Sequence, residues 1–196
     1  MASHLFLPIE LRSVELSNRV IVAPMCQYSA VEGTPTDWHL MHLGQFAVAG
    51  PGLVFVEATG VEAAGRITPG CTGLWNDEQE AKFKDITEFC QGYGNAKIGM
   101  QLAHAGRKAS CDVPWNGGAQ FAPDNEQGWP IVGPTDIAYA DGWQTPEALD
   151  DEGLARIKQA FVYATKRCVR IGYDVIELHM AHGYLLQQFL SPISNQ

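Results

Sequence analysis

Two histidines stand three residues apart, with a tyrosine two further on, in the stretch Val-Ile-Glu-Leu-His-Met-Ala-His-Gly-Tyr from Val175 to Tyr184. Imidazole N–H groups can donate to an oxygen on which negative charge builds, as the donors of an oxyanion hole do. A phenol such as Tyr184 can pass on a proton. The spacing of His179 and His182 would point both rings the same way if a helical turn began at His179. The bland readings are a pair of satisfied histidines capping a strand and a buried aromatic whose hydroxyl is hydrogen-bonded. A metal pair is a third, but no carboxylate or Cys stands at ligand spacing to complete a zinc set, and no metal is expected.

The apolar run Val175–Leu178 directly before the histidines reads as a short buried strand. In a parallel α/β protein the strand ends hold the chemical groups while loops shape the pocket. The preceding chain supplies companions. Leu5 to Leu16 alternates apolar and polar residues around Pro8, predicting a short hairpin. Val20–Ala23 is a β-branched run that Pro24 stops, Leu53–Ala58 a second strand and Lys97–Ala103 a third. Helices fall between them. Asp37 is positioned to cap one with Leu40, Leu43, Phe46 and Ala47 inward, and Asn76 to cap one with Phe83, Ile86 and Phe89 on one face. The clearest opens at Asp150, repeats Leu154, Ile157, Phe161, Ala164, Cys168 and Ile171, and stops at Gly172.

Alternating strands and helices imply parallel pairing with right-handed crossovers. A doubly wound nucleotide fold should carry G-x-G-x-x-G after its first strand, where this chain has Pro-Met-Cys-Gln-Tyr-Ser. The α/β class expected is therefore a (β/α)8 TIM barrel, of which residues 1–196 supply roughly the first four βα units and the N-terminal hairpin. A whole barrel takes about 250 residues. Residues 104–147, rich in Gly, Pro, Asn and Trp, form a long loop after the third strand, with Ile131-Val132 and Ile137-Ala138 as candidates for a small hairpin inside it.

The strand ends, taken together, bring up Met25, Cys26 and Tyr28, then Glu57, Ala58 and Thr59, then Gln101 with His104, Arg107 and Lys108, and finally His179, His182 and Tyr184. A polar, aromatic and thiol-bearing mouth over an apolar barrel suits a flat cofactor with a hydrogen-bonding edge. Cys90 and Cys168, on helices, read as small buried hydrophobes. Arg107 and Lys108 read as solvated loop charges, and the loop tryptophans as packing.

Composition narrows the partners. A formal net charge of −9 with no Lys/Arg-rich run argues against a nucleic-acid surface. No apolar run approaches the roughly 18 residues of a membrane span, and the N-terminus shows no signal-peptide pattern. Five cysteines without a CxxC pair fit reduced thiols and a cytoplasmic location.

Five segments carry a resemblance. Ala-Pro-Met-Cys-Gln-Tyr-Ser (23–29), Val-Glu-Ala-Thr (56–59), Gly-Arg-Ile-Thr-Pro-Gly (65–70), Gln-Leu-Ala-His-Ala-Gly-Arg-Lys-Ala (101–109) and Glu-Leu-His-Met-Ala-His-Gly-Tyr-Leu (177–185) follow in order. Together they resemble the old yellow enzyme family, and within it the bacterial branch of xenobiotic reductases and related ene-reductases. The likeness spans nearly all of this chain and about half of a family member. It implies bound FMN, reduced by NADPH or NADH. It also implies a small enone or nitro substrate whose activated C=C bond is reduced, and homo-oligomers for a full barrel. Ala23, Pro24, Met25 and Cys26 match the segment along the flavin ring, with Cys26 the thiol that tunes its potential. Ala58 and Gln101 match groups that bond the pyrimidine edge, and Tyr28 a residue lining the substrate side. His179 and His182 match the pair that binds the substrate oxygen, and Tyr184 the proton donor. The family's phosphate site and a flavin-contacting arginine would lie beyond Gln196. Two further readings stand beside this one: a half-barrel acting as a non-catalytic interaction module, and a dienoyl-CoA reductase-like flavoenzyme whose iron–sulfur cysteines would also lie beyond Gln196.

Overall fold

The computed structural model describes residues 3–196. Strands β1 (Ile9–Leu11) and β2 (Val14–Leu16) form the antiparallel hairpin that the alternation predicts, with Ile9 opposite Leu16. A two-residue strand β3 (Ile21–Val22) follows, then helix α1 (Asp37–Ala49). Thr36 stands at the N-cap one residue earlier than the sequence suggests, because its backbone N–H donates to His39 Nδ1 at 2.9 Å and its carbonyl accepts from the His39 N–H. Strand β4 (Leu53–Gly60) leads to α2 (Asp77–Tyr93), which Asn76 caps, and to β5 (Lys97–Ala103). Two short strands, β6 (Val132–Gly133) and β7 (Glu147–Ala148), precede α3 (Asp151–Ile171), β8 (Val175–Leu178) and α4 (Leu185–Leu190).

The sheet runs β3-β4-β5-β8, every neighbouring pair parallel, with the helices on its outer face. Val54 and Val56 of β4 and Ile98, Met100 and Leu102 of β5 meet Leu43 and Ala47 of α1, Phe83 and Ile86 of α2, and Ala164 and Cys168 of α3. On the inner side Leu53 and Phe55 pack with Leu16 of the hairpin and with Val175. The hairpin therefore covers the end of the sheet away from the strand ends that carry polar groups. Strand β4 is buried along its whole length, the state expected of a parallel strand covered on both faces. Gly99 is needed opposite Phe55, because a Cβ there would come within 2.5 Å of the phenyl ring.

Three expectations change. Strand β8 is half-buried rather than buried, since it is the outer strand of the sheet, and Leu178 is 49% exposed. No hairpin joins 131–132 to 137–138; β6 pairs in parallel with β7 instead. Arg107 is buried rather than solvated, and its Nη1 donates to the carbonyls of Ile137 and Ala138. The long loop is tied down by side chains of this kind. Gln144 donates to the Phe121 carbonyl and Trp129 Nε1 to the Ala64 carbonyl.

Candidate active site

At the C-terminal ends of the strands lies a cavity of about 340 Å³ lined by Ala23, Pro24, Cys26, Ala58, Ile67, Gln101, Glu177, His179, His182 and Tyr184. Each wall has a local cause. Pro24 has no N–H to continue the ladder and β3 is over by Val22, so the chain turns across the sheet end. The wall from β4 depends on a register shift: Val56 faces Met100 but Ala58 faces Gln101, leaving Glu57 as an extra residue. Simple alternation would put Ala58 on the helix-covered face with Val54 and Val56. The bulge brings it to the inner face, level with Gln101, an effect typical of bulges beside functional sites.

Glu57 is 3% exposed and fully engaged. Its Oε1 lies 3.1 Å from His39 Nε2, and its Oε2 accepts the Gln27 N–H at 3.1 Å. Since His39 Nδ1 accepts from Thr36, the His39 proton sits on Nε2 and donates to Glu57. This pair anchors the segment that carries Cys26. The Cys26 thiol is pushed far above the usual range, first by its hydrogen bond with the Cys71 thiol, then by burial and the Glu57 charge. It therefore presents a neutral S–H.

Gln101 gives its Nε2 hydrogen to Glu177 Oε1, while its own Oε1 has no protein donor among the described residues. On the β8 side, the His179 N–H donates to the Leu102 carbonyl at 2.9 Å, which ties the residue after the strand to β5. His179 Nδ1 accepts the Ala181 N–H at 3.3 Å, so Nε2 carries the ring proton. Burial, and then the neighbouring His182, hold this imidazole below its ordinary pKa and keep it neutral. The His182 ring meets it edge-on with centroids 5.1 Å apart, and the Tyr184 ring stands at 4.9 Å and 90° to it. Burial, followed by the neighbouring Cys26, raises the Tyr184 pKa above the usual phenol value.

No helical turn begins at His179. The residues around the pair form a turn in which His182 (φ 56°) and Gly183 (φ 74°) are both left-handed, and α4 starts at Leu185 with Tyr184 at its N-cap. The convergence of the rings comes from that turn. Met25 and Tyr28 do not line the cavity: Met25 is 48% exposed, and Tyr28 packs edge-on against Trp115. Glu177 and Ile67 line the cavity and Cys71 meets Cys26, none of them among the groups expected from the strand ends. Glu177 was recoverable, since it precedes His179 by two in a strand and so shares its face. Ile67 and Cys71 arrive from the loop after β4 and carry no such signal.

Residues 4–196 match the model of the NADH:flavin oxidoreductase / NADH oxidase family. This chain belongs to that family. It is 50% identical over its whole length to an NADH:flavin oxidoreductase of Gibberella zeae, covering 48% of that protein. With the NADPH dehydrogenase of Bacillus subtilis it shares 41% identity over 100% of this chain and 53% of the relative. Among solved structures, morphinone reductase superposes with a TM-score of 0.83 at 31% identity, over 98% of this chain and 52% of that one. Old yellow enzyme from Pichia sp. AKU4542 does so with a TM-score of 0.84 at 27% identity, over 98% and 50%. The old yellow enzyme resemblance and the TIM-barrel class therefore hold, and the chain spans about half the length of the relatives it matches.

A flavin enzyme family implies FMN, and the residues present fit one. The open Oε1 of Gln101 can accept from the ring imide N–H, while the His179 Nε2 proton remains free to donate into the same cavity. The Ala23–Pro24 segment offers a wall without charge. Among the described residues no three His, Cys, Asp or Glu side chains gather as a metal site, and no helix is long and apolar enough to cross a membrane.

Proposed function

We propose that this chain forms the flavin-facing and substrate-facing walls of an NAD(P)H-dependent ene-reductase acting on enones or nitroalkenes. Bound FMN would supply the hydride, taken from the nicotinamide and delivered to the β-carbon of the activated alkene. The single observation carrying the reading is that two imidazoles and a phenol with unspent N–H and O–H groups converge on the cavity that Cys26 and Gln101 also line.

The roles follow from chemistry. Ala23, Pro24 and Cys26 run alongside the ring and Ala58 and Gln101 hold its polar edge, while Met25 and Tyr28 stand outside the cavity and take no part in this reading. His179 Nε2 donates to the carbonyl or nitro oxygen, and His182 supplies the second donor. Charge on that oxygen grows as hydride arrives, so donors already aimed at it stabilise the transition state more than the ground state. Tyr184 stays protonated because burial raises its pKa, and it gives its proton to the α-carbon. The neutral Cys26 thiol places no negative charge beside the ring.

Support for a nicotinamide reductant comes from the NADPH dehydrogenases among the relatives and from morphinone reductase solved with tetrahydroNAD. The free cysteines fit a reducing, cytoplasmic setting, and homo-oligomers belong to this reading for a full barrel.

The deciding experiment is stopped-flow kinetics on the double variant H179A/H182A. Flavin reduction by NADPH is expected to persist while reoxidation by an enone collapses. Equal loss in both half-reactions would remove the proposed role of the histidines.

A further inference from the structure

Lys108 follows β5 on a single 3-10 turn, Gly106–Lys108, and its side chain crosses to the turn after β8. Its Nζ donates to the His182 carbonyl at 2.8 Å. The same ammonium lies 4.9 Å from the centre of the Tyr184 ring and 5.0 Å from that of Tyr139 in the long loop. A Cβ on Gly183 would lie 3.5 Å from the Lys108 Cδ, so the aliphatic stem runs against the turn itself. No carboxylate lies within 4.0 Å of Nζ among the described residues, unlike Lys97, which pairs with Asp174.

We propose that Lys108 is a positioning residue for the ene-reduction described above, a proposal that rests on that reading. His182 holds a left-handed backbone, uncommon for a residue with a side chain, and such conformations persist only where surrounding groups impose them. The Lys108 hydrogen bond to its carbonyl, followed by the left-handed Gly183, is the contact that imposes it. The turn in turn sets where the His182 ring and Tyr184 point. A cation over the Tyr184 ring is attracted to the ring face. It also favours the phenolate that forms when the proton leaves. Lys108 thus couples the loop that carries Tyr139 to the two groups that meet the substrate, without touching the substrate itself.

Two readouts test this on the FMN-loaded chain. Hydrogen exchange over residues 179–185 is compared in wild type, K108M and K108R, with β4 and β5 as internal references. The expected result is faster exchange in 179–185 alone for K108M, with protection restored by K108R. In stopped flow, K108M is expected to slow alkene reduction about 100-fold, the scale of an ångström-level misplacement, with flavin reduction by NADPH unchanged and K108R recovering most of the loss. If K108M does not fold, K108Q carries the test: it keeps a donor without the charge, so the turn stays protected while alkene reduction still drops. Unchanged exchange at 179–185 in K108M overturns the clamp, whether or not the ene-reductase reading stands. Equal loss in both half-reactions, or K108R no better than K108M, overturns the positioning role.

Discussion

His39 and His104 differ from His179 and His182 in one respect: each of the first two gives a ring nitrogen to a carboxylate. His39 pairs with Glu57 at 3.1 Å and His104 with Glu62 at 3.0 Å, and in each ring Nδ1 accepts a backbone N–H. Both of those imidazoles are saturated. His179 has only its Nδ1 satisfied, and neither it nor His182 has a carboxylate within 4.0 Å among the described residues. Buried polar groups are normally paired, so the open Nε2 of buried His179 at the cavity marks the place where a ligand completes the set, whereas His182 is exposed and water can serve its ring. The saturated pairs hold segments of chain: Glu57 the Cys26 segment through the Gln27 N–H, Glu62 the outer face of the barrel mouth through Arg156.

The largest effect is expected at the open pair: each lost donor should slow alkene reduction by about 10²–10³, while H179A changes unfolding free energy by about 1 kcal/mol. A urea-unfolding cost as large as that of a saturated pair would erase the distinction. Next comes the saturated side. H39L leaves the Glu57 carboxylate buried without its partner and should cost about 3–5 kcal/mol in urea unfolding. A cost near zero would mean that Glu57 takes up a proton or another donor.

R107M should cost less, about 1–3 kcal/mol, by stranding the Ile137 and Ala138 carbonyls. Limited proteolysis should then cut within 104–147 first, and an unchanged cleavage pattern would show that other contacts hold the loop.

The smallest effect is with pH. Burial, and then the neighbouring His182, lower the folded-state pKa of His179 from 6.5. The unfolded chain therefore binds the proton more readily, and stability present above pH 6.5 is lost as pH falls below it. Thermal unfolding from pH 7.5 to 5 should show this decline, shallower in H179N. Equal slopes would show that His179 is not the group responsible. The Glu62 carboxylate acts in a lower window. Burial opposes its charge, but hydrogen bonds from His104 and Arg156 outweigh that and hold it below 4.5. Its contribution is present above 4.5 and fades only as pH falls further.

The strand-and-helix alternation was readable because β4 and β5 are covered on both faces and the three long helices each press one face against them, so that period and burial agree. The bounds of β5 and β8 match the apolar runs to the residue. Other features were hidden for identifiable reasons. The bulge at Glu57 exists only in the pairing of β4 with β5, so no pattern within β4 shows it. The burial of Arg107 depends on carbonyls some thirty residues later, inside a loop without periodicity. Lys108 looked like a solvated charge because the carbonyl and rings that hold it come from distant segments.

Residue order by itself determined which groups stand at strand ends: Pro24 after β3, Gln101 on β5 and His179 after β8 follow from local rules that need no partner. The folded chain alone decided which of those groups keep a free hydrogen. That depends on whether a carboxylate or backbone amide from elsewhere reaches them, and hydrogen bonds of about 3 Å between residues far apart in sequence are created only when the sheet and its loops close together.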